Sequence, residues 1–327
     1  MTPFSLSSVE PVSARKRLVL GYRSPGYEGG RAWRTALSRL DPEIELRVWP
    51  DFGDPAEIDA VLCWRPPPGW LASLPGLRLV QSLGAGVDHV TDDPSYPRHV
   101  PLIRLIDPGM TQAMTRFVVC QVLRLHLGDL DYRAAQAGGV WKPLPAPPQS
   151  RRVGLLGLGT LGLSCAQALG ALGFDVSGWS RGPKPVPGLR ALHGSDGLRS
   201  LLAESEILVC LLPLTPQTRG ILDARAFAAL PRGAMLVNVG RGGHVVEPDL
   251  LAALDSGGIS AAALDVFAHE PLPPDHPFWR HPRVLVTPHV AAHTDPETAA
   301  VAVAANLAQL REAVPVWPGR VDLDAGY

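Results

Sequence analysis

Apolar runs of strand length alternate with helical patterns along almost the whole chain. That alternation points to parallel sheets built from strand–helix–strand units. A first series reads as strands at 17–22 (RLVLGY), 44–50 (IELRVWP), 60–64 (AVLCW), 77–84 (LRLVQSLG) and 101–106 (PLIRLI). The Pro-rich KPLPAPPQS at 142–150 cannot continue a helix and reads as a linker or exposed arm. A second series follows it, at 152–158, 175–179, 207–212, 234–240, 260–267 and 284–289. Between these strands, Cys165, Ala166, Leu169 and Leu172 share one helical face before Gly173, and Pro248 opens a helix that a glycine closes. After residue 295, ETAAVAVAANLAQLREA reads as one long helix. A chain of 327 residues exceeds one core of about 100–200 residues, which predicts two domains.

Composition narrows the functional classes. A chain 46% hydrophobic and 19% charged is globular, and a net charge of −1 supplies no field to gather nucleic acid. Cys63, Cys120, Cys165 and Cys210 lie in apolar stretches without CxxC or Cys/His spacing. They predict buried reduced thiols, a cytoplasmic setting and no metal site. Residues 1–16 lack the apolar centre of a secretory signal, Glu10 argues against a transit peptide, and an extension is the simpler reading. No run approaches the roughly 18 apolar residues of a membrane helix, so no membrane partner is expected.

GLGTLG places Gly157, Gly159 and Gly162 in a GxGxxG pattern that follows a strand and opens an amphipathic helix. In that context it reads as a dinucleotide site: Gly157 for the tight turn, Gly159 for close approach of a pyrophosphate, Gly162 for helix–strand packing. The helix start at Thr160 and Leu161 supplies unsatisfied N–H groups and a positive dipole end. About 20 residues on, where an acid would hold a ribose 2′-hydroxyl, the chain has Ser180, Arg181 and then Lys184. A guanidinium there pairs with a 2′-phosphate, so NADP is expected over NAD. Asp175 begins its strand and should stand at the end remote from the ribose.

Ligands of open parallel sheets bind beyond the carboxyl ends of the strands. Arg241, Glu270 and His289 each follow a different strand of the second series. Their spacing makes convergence plausible, although His269, His281 and His293 compete with His289.

With these motifs in place, the chain resembles the D-isomer-specific 2-hydroxyacid dehydrogenase family, nearest to its glyoxylate/hydroxypyruvate reductase branch. The resemblance rests on LGAGVD (83–88), GLGTLG, GWSR, LLPLTPQT (211–218), VVEPDLLAALDSG (245–257), LDVFAHEPLPP (264–274), HPRVLVTPHVAAHT (281–294) and the terminal GY, and runs from about residue 17 onward. It implies two Rossmann/flavodoxin-like α/β domains with an active-site cleft between them. The substrate domain would be 1–107 plus 291–327 and the dinucleotide domain 108–290, with hinge closure excluding water.

The implied chemistry is NADPH-dependent reduction of a small 2-oxo acid, glyoxylate or hydroxypyruvate, to the 2-hydroxy acid. Arg241 would anchor the carboxylate and polarise the ketone. His289 would give the proton, and Glu270 would orient the ring and favour its charged form. The resemblance also implies a carboxylate nest at Gly84, Ala85 and Gly86, cofactor contacts from Leu212 and Pro213, and Asp265 on the nicotinamide carboxamide. Trp64 and Trp141 are candidates for the pocket lining, or else core or dimer-contact aromatics.

A homodimer through 110–148 is also implied. Glu270 where a formate dehydrogenase carries Gln, and 38 residues after His289 where a phosphoglycerate dehydrogenase often continues into a regulatory domain, argue against those relatives. A reductase for a bulkier 2-oxo acid and a non-enzymatic nucleotide-sensing scaffold stay open.

Overall fold

The computed structural model describes residues 17–25, 29–312 and 315–327. The extension expected at 1–16 and the end of the last helical pattern, at 313, lie outside the described residues. The chain divides into two compact units. One comprises residues up to Ala85, His89–Leu105 and Pro296–Val321; the other comprises Gly86–Asp88, Ile106–Asp295 and Asp322–Tyr327. Relative to the expected boundaries, residues 86–88, 106–107, 291–295 and 322–327 belong to the second unit.

The first unit holds a five-stranded parallel sheet: β1 (Leu18–Arg23), β2 (Ile44–Val48), β3 (Ala60–Cys63), β4 (Leu79–Ser82) and β5 (Leu102–Ile103), in the order β2-β1-β3-β4-β5. This is the flavodoxin-like winding. β3 and β4 are buried at every residue, as strands covered on both faces must be. β5 is much shorter than the expected 101–106, because beyond Ile103 the chain bonds elsewhere: Arg104 N–H to Gly319 O at 3.0 Å and Leu105 N–H to Gly84 O at 2.9 Å. The helical pattern after 295 forms a helix, Pro296–Ala308, that tightens to a 3₁₀ turn at Gln309–Arg311.

The second unit holds seven parallel strands: β6 (Arg152–Leu156), β7 (Asp175–Ser180), β8 (Arg190–His193), β9 (Ile207–Cys210), β10 (Ala234–Asn238), β11 (Ile259–Leu264) and β12 (Val284–Val286). Their order is β12-β11-β10-β9-β6-β7-β8. The strand order reverses direction between β6 and β9, which is where a doubly wound sheet opens a crevice at its carboxyl edge. β8 has no counterpart in the expected strands; it is a short edge strand, exposed at both ends, between Pro/Gly-rich segments.

Cys63, Cys165 and Cys210 are buried, and burial raises each thiol's pKa, to about 12, 11 and 12 respectively. Cys120 departs from expectation. Helix Pro108–His126 buries Met110, Met114, Val118, Gln121, Val122 and Leu125, and Cys120 falls on its outward face. Among the described residues no helix is long and apolar enough to cross a membrane.

Candidate active site

The glycine turn follows β6 at the reversal of strand order. Gly157 has φ +108°, and a Cβ there would stand 3.0 Å from Leu211 O. A Cβ on Gly162 would fall 1.9 Å from Gly157 O, so no side chain is tolerated where the helix meets the turn. At Gly159 the opposite holds: no heavy atom lies within 4 Å of where a Cβ would be. That open cradle sits at the N-cap of helix Thr160–Ala171, whose first turn has no side-chain cap and no acid. Thr160 is exposed and Leu161 half-buried beside it. The combination of open space, uncapped N–H groups and a positive helix end fits a pyrophosphate.

β7 runs parallel to β6, with Asp175 beside Arg152 and Trp179 beside Leu156. Asp175 is therefore remote from the glycines, and Ser180 and Arg181 come out beside them. Ser180 Oγ donates to Gly182 O at 2.8 Å, and Lys184 Nζ donates to Leu158 O inside the glycine turn itself. Arg181 Nη2 donates to Tyr327 Oη at 2.6 Å.

After β9, Leu212 is buried and Pro213 O accepts hydrogen bonds from Thr218 Oγ1 at 2.7 Å and from His244 Nε2 at 3.2 Å.

β10 ends at Asn238, and the chain turns through Arg241. Asn238 Nδ2 holds Arg241 O at 3.0 Å, and Arg241 N–H donates to His244 Nδ1 at 3.0 Å. The His244 ring therefore carries its proton on Nε2, facing Pro213 O, and links two loops of the site. The Arg241 side chain donates from Nε to Asp88 and from Nη1 to Gly240 O at 2.9 Å. Gly242 packs on the next loop so tightly that a Cβ would lie 1.8 Å from Phe267 C. That contact brings the Arg241 turn against the loop carrying Glu270.

Glu270 Oε1 accepts Phe267 N–H at 3.1 Å, and Oε2 lies 2.8 Å from His289 Nδ1. His289 itself has φ +55°, a left-handed conformation that a non-glycine residue adopts only under constraint. The constraint is Asp265. Its carboxylate accepts Thr287 Oγ1 at 2.6 Å, Val290 N–H at 2.9 Å and Ala291 N–H at 2.9 Å, while its carbonyl accepts His289 N–H at 2.8 Å. His281, a competitor by sequence, instead faces Asp255 at 3.5 Å.

Asp265 is 1% exposed, and both of its carboxylate oxygens bond to the segment around His289, so it braces the histidine. In the Gly84–Ala85–Gly86 segment, Gly84 N–H donates to Ser82 Oγ at 3.1 Å. A Cβ on Gly84 would meet the Trp64 ring at 2.9 Å, and the half-buried Trp64 packs on His89 with ring centroids 4.1 Å apart. Trp141 is 98% exposed. Among the described residues no cluster of His, Cys, Asp or Glu could hold a metal ion.

The D-isomer specific 2-hydroxyacid dehydrogenase, NAD binding domain family matches residues 121–291. Over 301 residues the chain is 44% identical to glyoxylate/hydroxypyruvate reductase A of Serratia proteamaculans, covering 90% of this chain and 96% of that protein. The chain belongs to the D-isomer-specific 2-hydroxyacid dehydrogenase family. Among solved members, a D-isomer specific 2-hydroxyacid dehydrogenase from Xanthobacter autotrophicus, in complex with NADPH and MES, superposes with a TM-score of 0.90. It is 42% identical, and the match covers 95% of this chain and 100% of that one. NADPH-dependent glyoxylate/hydroxypyruvate reductase from Sinorhizobium meliloti, in complex with NADP and sulfate, gives 0.88 at 36% identity, with the same coverage.

This 2-hydroxyacid dehydrogenase shows more in its structure than its motifs did. Asp88, His244 and Asn238 all grip Arg241. Asp88 lies inside LGAGVD and His244 stands three residues after Arg241, but neither carries a spacing signal of its own.

Proposed function

We propose that this chain is an NADPH-dependent reductase of small 2-oxo acids, with glyoxylate and hydroxypyruvate as its substrates. The observation that carries the reading is the 2.8 Å contact of His289 Nδ1 with Glu270, on a histidine locked into position by Asp265. The unit with the seven-stranded sheet is the dinucleotide domain, and the five-stranded unit is the substrate domain. Bound NADPH supplies a hydride from nicotinamide C4 to the ketone carbon. Gly157, Gly159 and Gly162, with the N–H groups at Thr160 and Leu161, receive the pyrophosphate. Ser180, Arg181 and Lys184 receive the 2′-phosphate, and Leu212 and Pro213 border the dinucleotide.

Arg241 anchors the substrate carboxylate and polarises the ketone through its guanidinium, whose plane Asp88 fixes. His289 delivers a proton from Nε2 to the forming alkoxide, because Nδ1 is held by Glu270 and the ring can turn only one nitrogen outward. Trp64, Gly84, Ala85 and Gly86 border the substrate, with Gly84 shaped by the indole. The chain acts as a homodimer through 110–148, where Leu127, Tyr132, Val140 and Trp141 expose apolar surface.

Following NADPH and NADH oxidation at 340 nm with a panel of 2-oxo acids tests the proposal. Turnover of glyoxylate and hydroxypyruvate with NADPH supports it. Equal use of NADH removes the role given to Arg181, preference for longer 2-oxo acids moves the substrate within the family, and no turnover favours the nucleotide-sensing scaffold.

A further inference from the structure

Arg181 differs from most of the arginines around it in what it touches. Arg190 is paired with Glu204, Arg199 with Asp196 and Arg152 with Glu206, each a carboxylate that cancels its charge. Among the described residues the only hydrogen bond of the Arg181 guanidinium goes to a neutral hydroxyl, Tyr327 Oη, at 2.6 Å. Its Cζ also lies 4.9 Å from the centre of the Tyr327 ring. An arginine held this way keeps its positive charge while losing much of its rotational freedom.

Tyr327 is itself fixed. Gly326 N–H donates to Asp322 O at 2.8 Å and Asp322 N–H donates to Tyr327 O at 3.2 Å, folding 322–327 back on itself. Asp322 Oδ1 accepts the N–H groups of Asp324 at 2.9 Å and Ala325 at 3.0 Å. These two bonds, with a smaller contribution from the nearby Arg181, hold its carboxyl below the usual range. Gly326, at φ +80°, packs so that a Cβ would lie 3.3 Å from Thr215 Cγ2. Thr215 is buried, and its N–H donates to Thr218 Oγ1, the same hydroxyl that donates to Pro213 O. The tyrosine is thus seated on the turn after β9 and reaches the end of β7.

We propose that Tyr327 is a specificity-determining positioning residue for the cofactor's 2′-phosphate. Resting on the reading of Arg181 given above, the inference is that the Tyr327 ring covers one face of the guanidinium and its hydroxyl ties down Nη2. This presents to a phosphomonoester a fork with no carboxylate of the described residues hydrogen-bonded to it, and leaves the opposite face for a purine ring.

The test uses the full chain and measures dissociation constants for NADPH, NADH and 2′,5′-ADP by fluorescence or calorimetry. Wild type is compared with Tyr327→Ala and Tyr327→Phe, with thermal melts confirming that both variants fold. Tyr327→Ala should weaken NADPH and 2′,5′-ADP by about 10-fold, with NADH changed by less than about 2-fold. Tyr327→Phe, keeping the ring and losing the hydroxyl, should fall between. A wild type that binds NADH as tightly as NADPH overturns the reading of Arg181 and this inference with it. A wild-type preference for NADPH that survives Tyr327→Ala, or a variant that weakens both dinucleotides equally, overturns the inference alone.

Discussion

Arg241 donates Nε–H to both carboxylate oxygens of Asp88, at 2.9 and 3.2 Å, and the two side chains are 18% and 17% exposed. With Nη1 also on Gly240 O, the guanidinium plane is fixed before any substrate arrives. Asp88→Ala would release it. The expected result is a loss of about 100-fold in kcat/KM for the 2-oxo acid, with the NADPH dissociation constant unchanged. Asp88→Asn, which keeps one acceptor, should lose less. An unaltered kcat/KM in Asp88→Ala would show that Arg241 needs no such brace.

Gly86 lies where a Cβ would come within 1.9 Å of Arg241 Nη2 and 2.7 Å of Cζ. The flexible end of Arg241 can move aside, so Gly86→Ala should fold yet displace the guanidinium from its plane. KM for the 2-oxo acid should rise by roughly 10-fold or more while the melting temperature changes little. A KM equal to wild type would mean that the guanidinium's position is not what binds substrate.

Asp265 keeps His289 in its left-handed backbone conformation through bonds to residues 287, 290 and 291. Asp265→Asn replaces one acceptor oxygen by an N–H₂ that must face another donor. The expected cost is about 2 kcal/mol of stability, read by urea unfolding, and a fall of about 10-fold or more in kcat. Retention of wild-type kcat would remove Asp265 from the positioning of His289.

His244 is wholly buried, and that burial, more than its neighbours, lowers its pKa from 6.5 to about 4. The unfolded chain takes up this proton near pH 6.5, whereas the folded protein resists until about pH 4. The stability contribution is therefore complete above about pH 6.5 and is lost as pH falls toward 4, on the order of 3 kcal/mol in all. His244→Gln should be less stable at pH 7.5 and should lose less of its remaining stability between pH 7.5 and 4.5. Parallel pH dependences in urea unfolding of the two proteins would contradict this.

Both sheets, the glycine turn and the ends of the strands were legible because each has a periodic or spaced signal. The elements that were not legible had none. Edge strand β8 is too short and too exposed to show an apolar run. The truncation of β5 depends on where Arg104 and Leu105 find partners, Gly319 and Gly84, one of them 215 residues away in sequence. Glu270 and His289 could be paired by expectation because each follows a strand, and the structure has them in contact. Asp88, His244 and Tyr327 reach the site through side-chain geometry alone, and Asp265 was visible as an acid at a strand end, while its bonds to Thr287 Oγ1 and the N–H groups of Val290 and Ala291 were not.

Transient-state oxidation of NADPH by glyoxylate, with wild type and His289→Gln compared at pH 7 and each saturated with both ligands, addresses the chemistry most directly. If His289 gives up the proton, the first-turnover rate in the variant should drop by about 100-fold or more, while NADPH binds as in wild type. A variant that transfers hydride at the wild-type rate contradicts the mechanism.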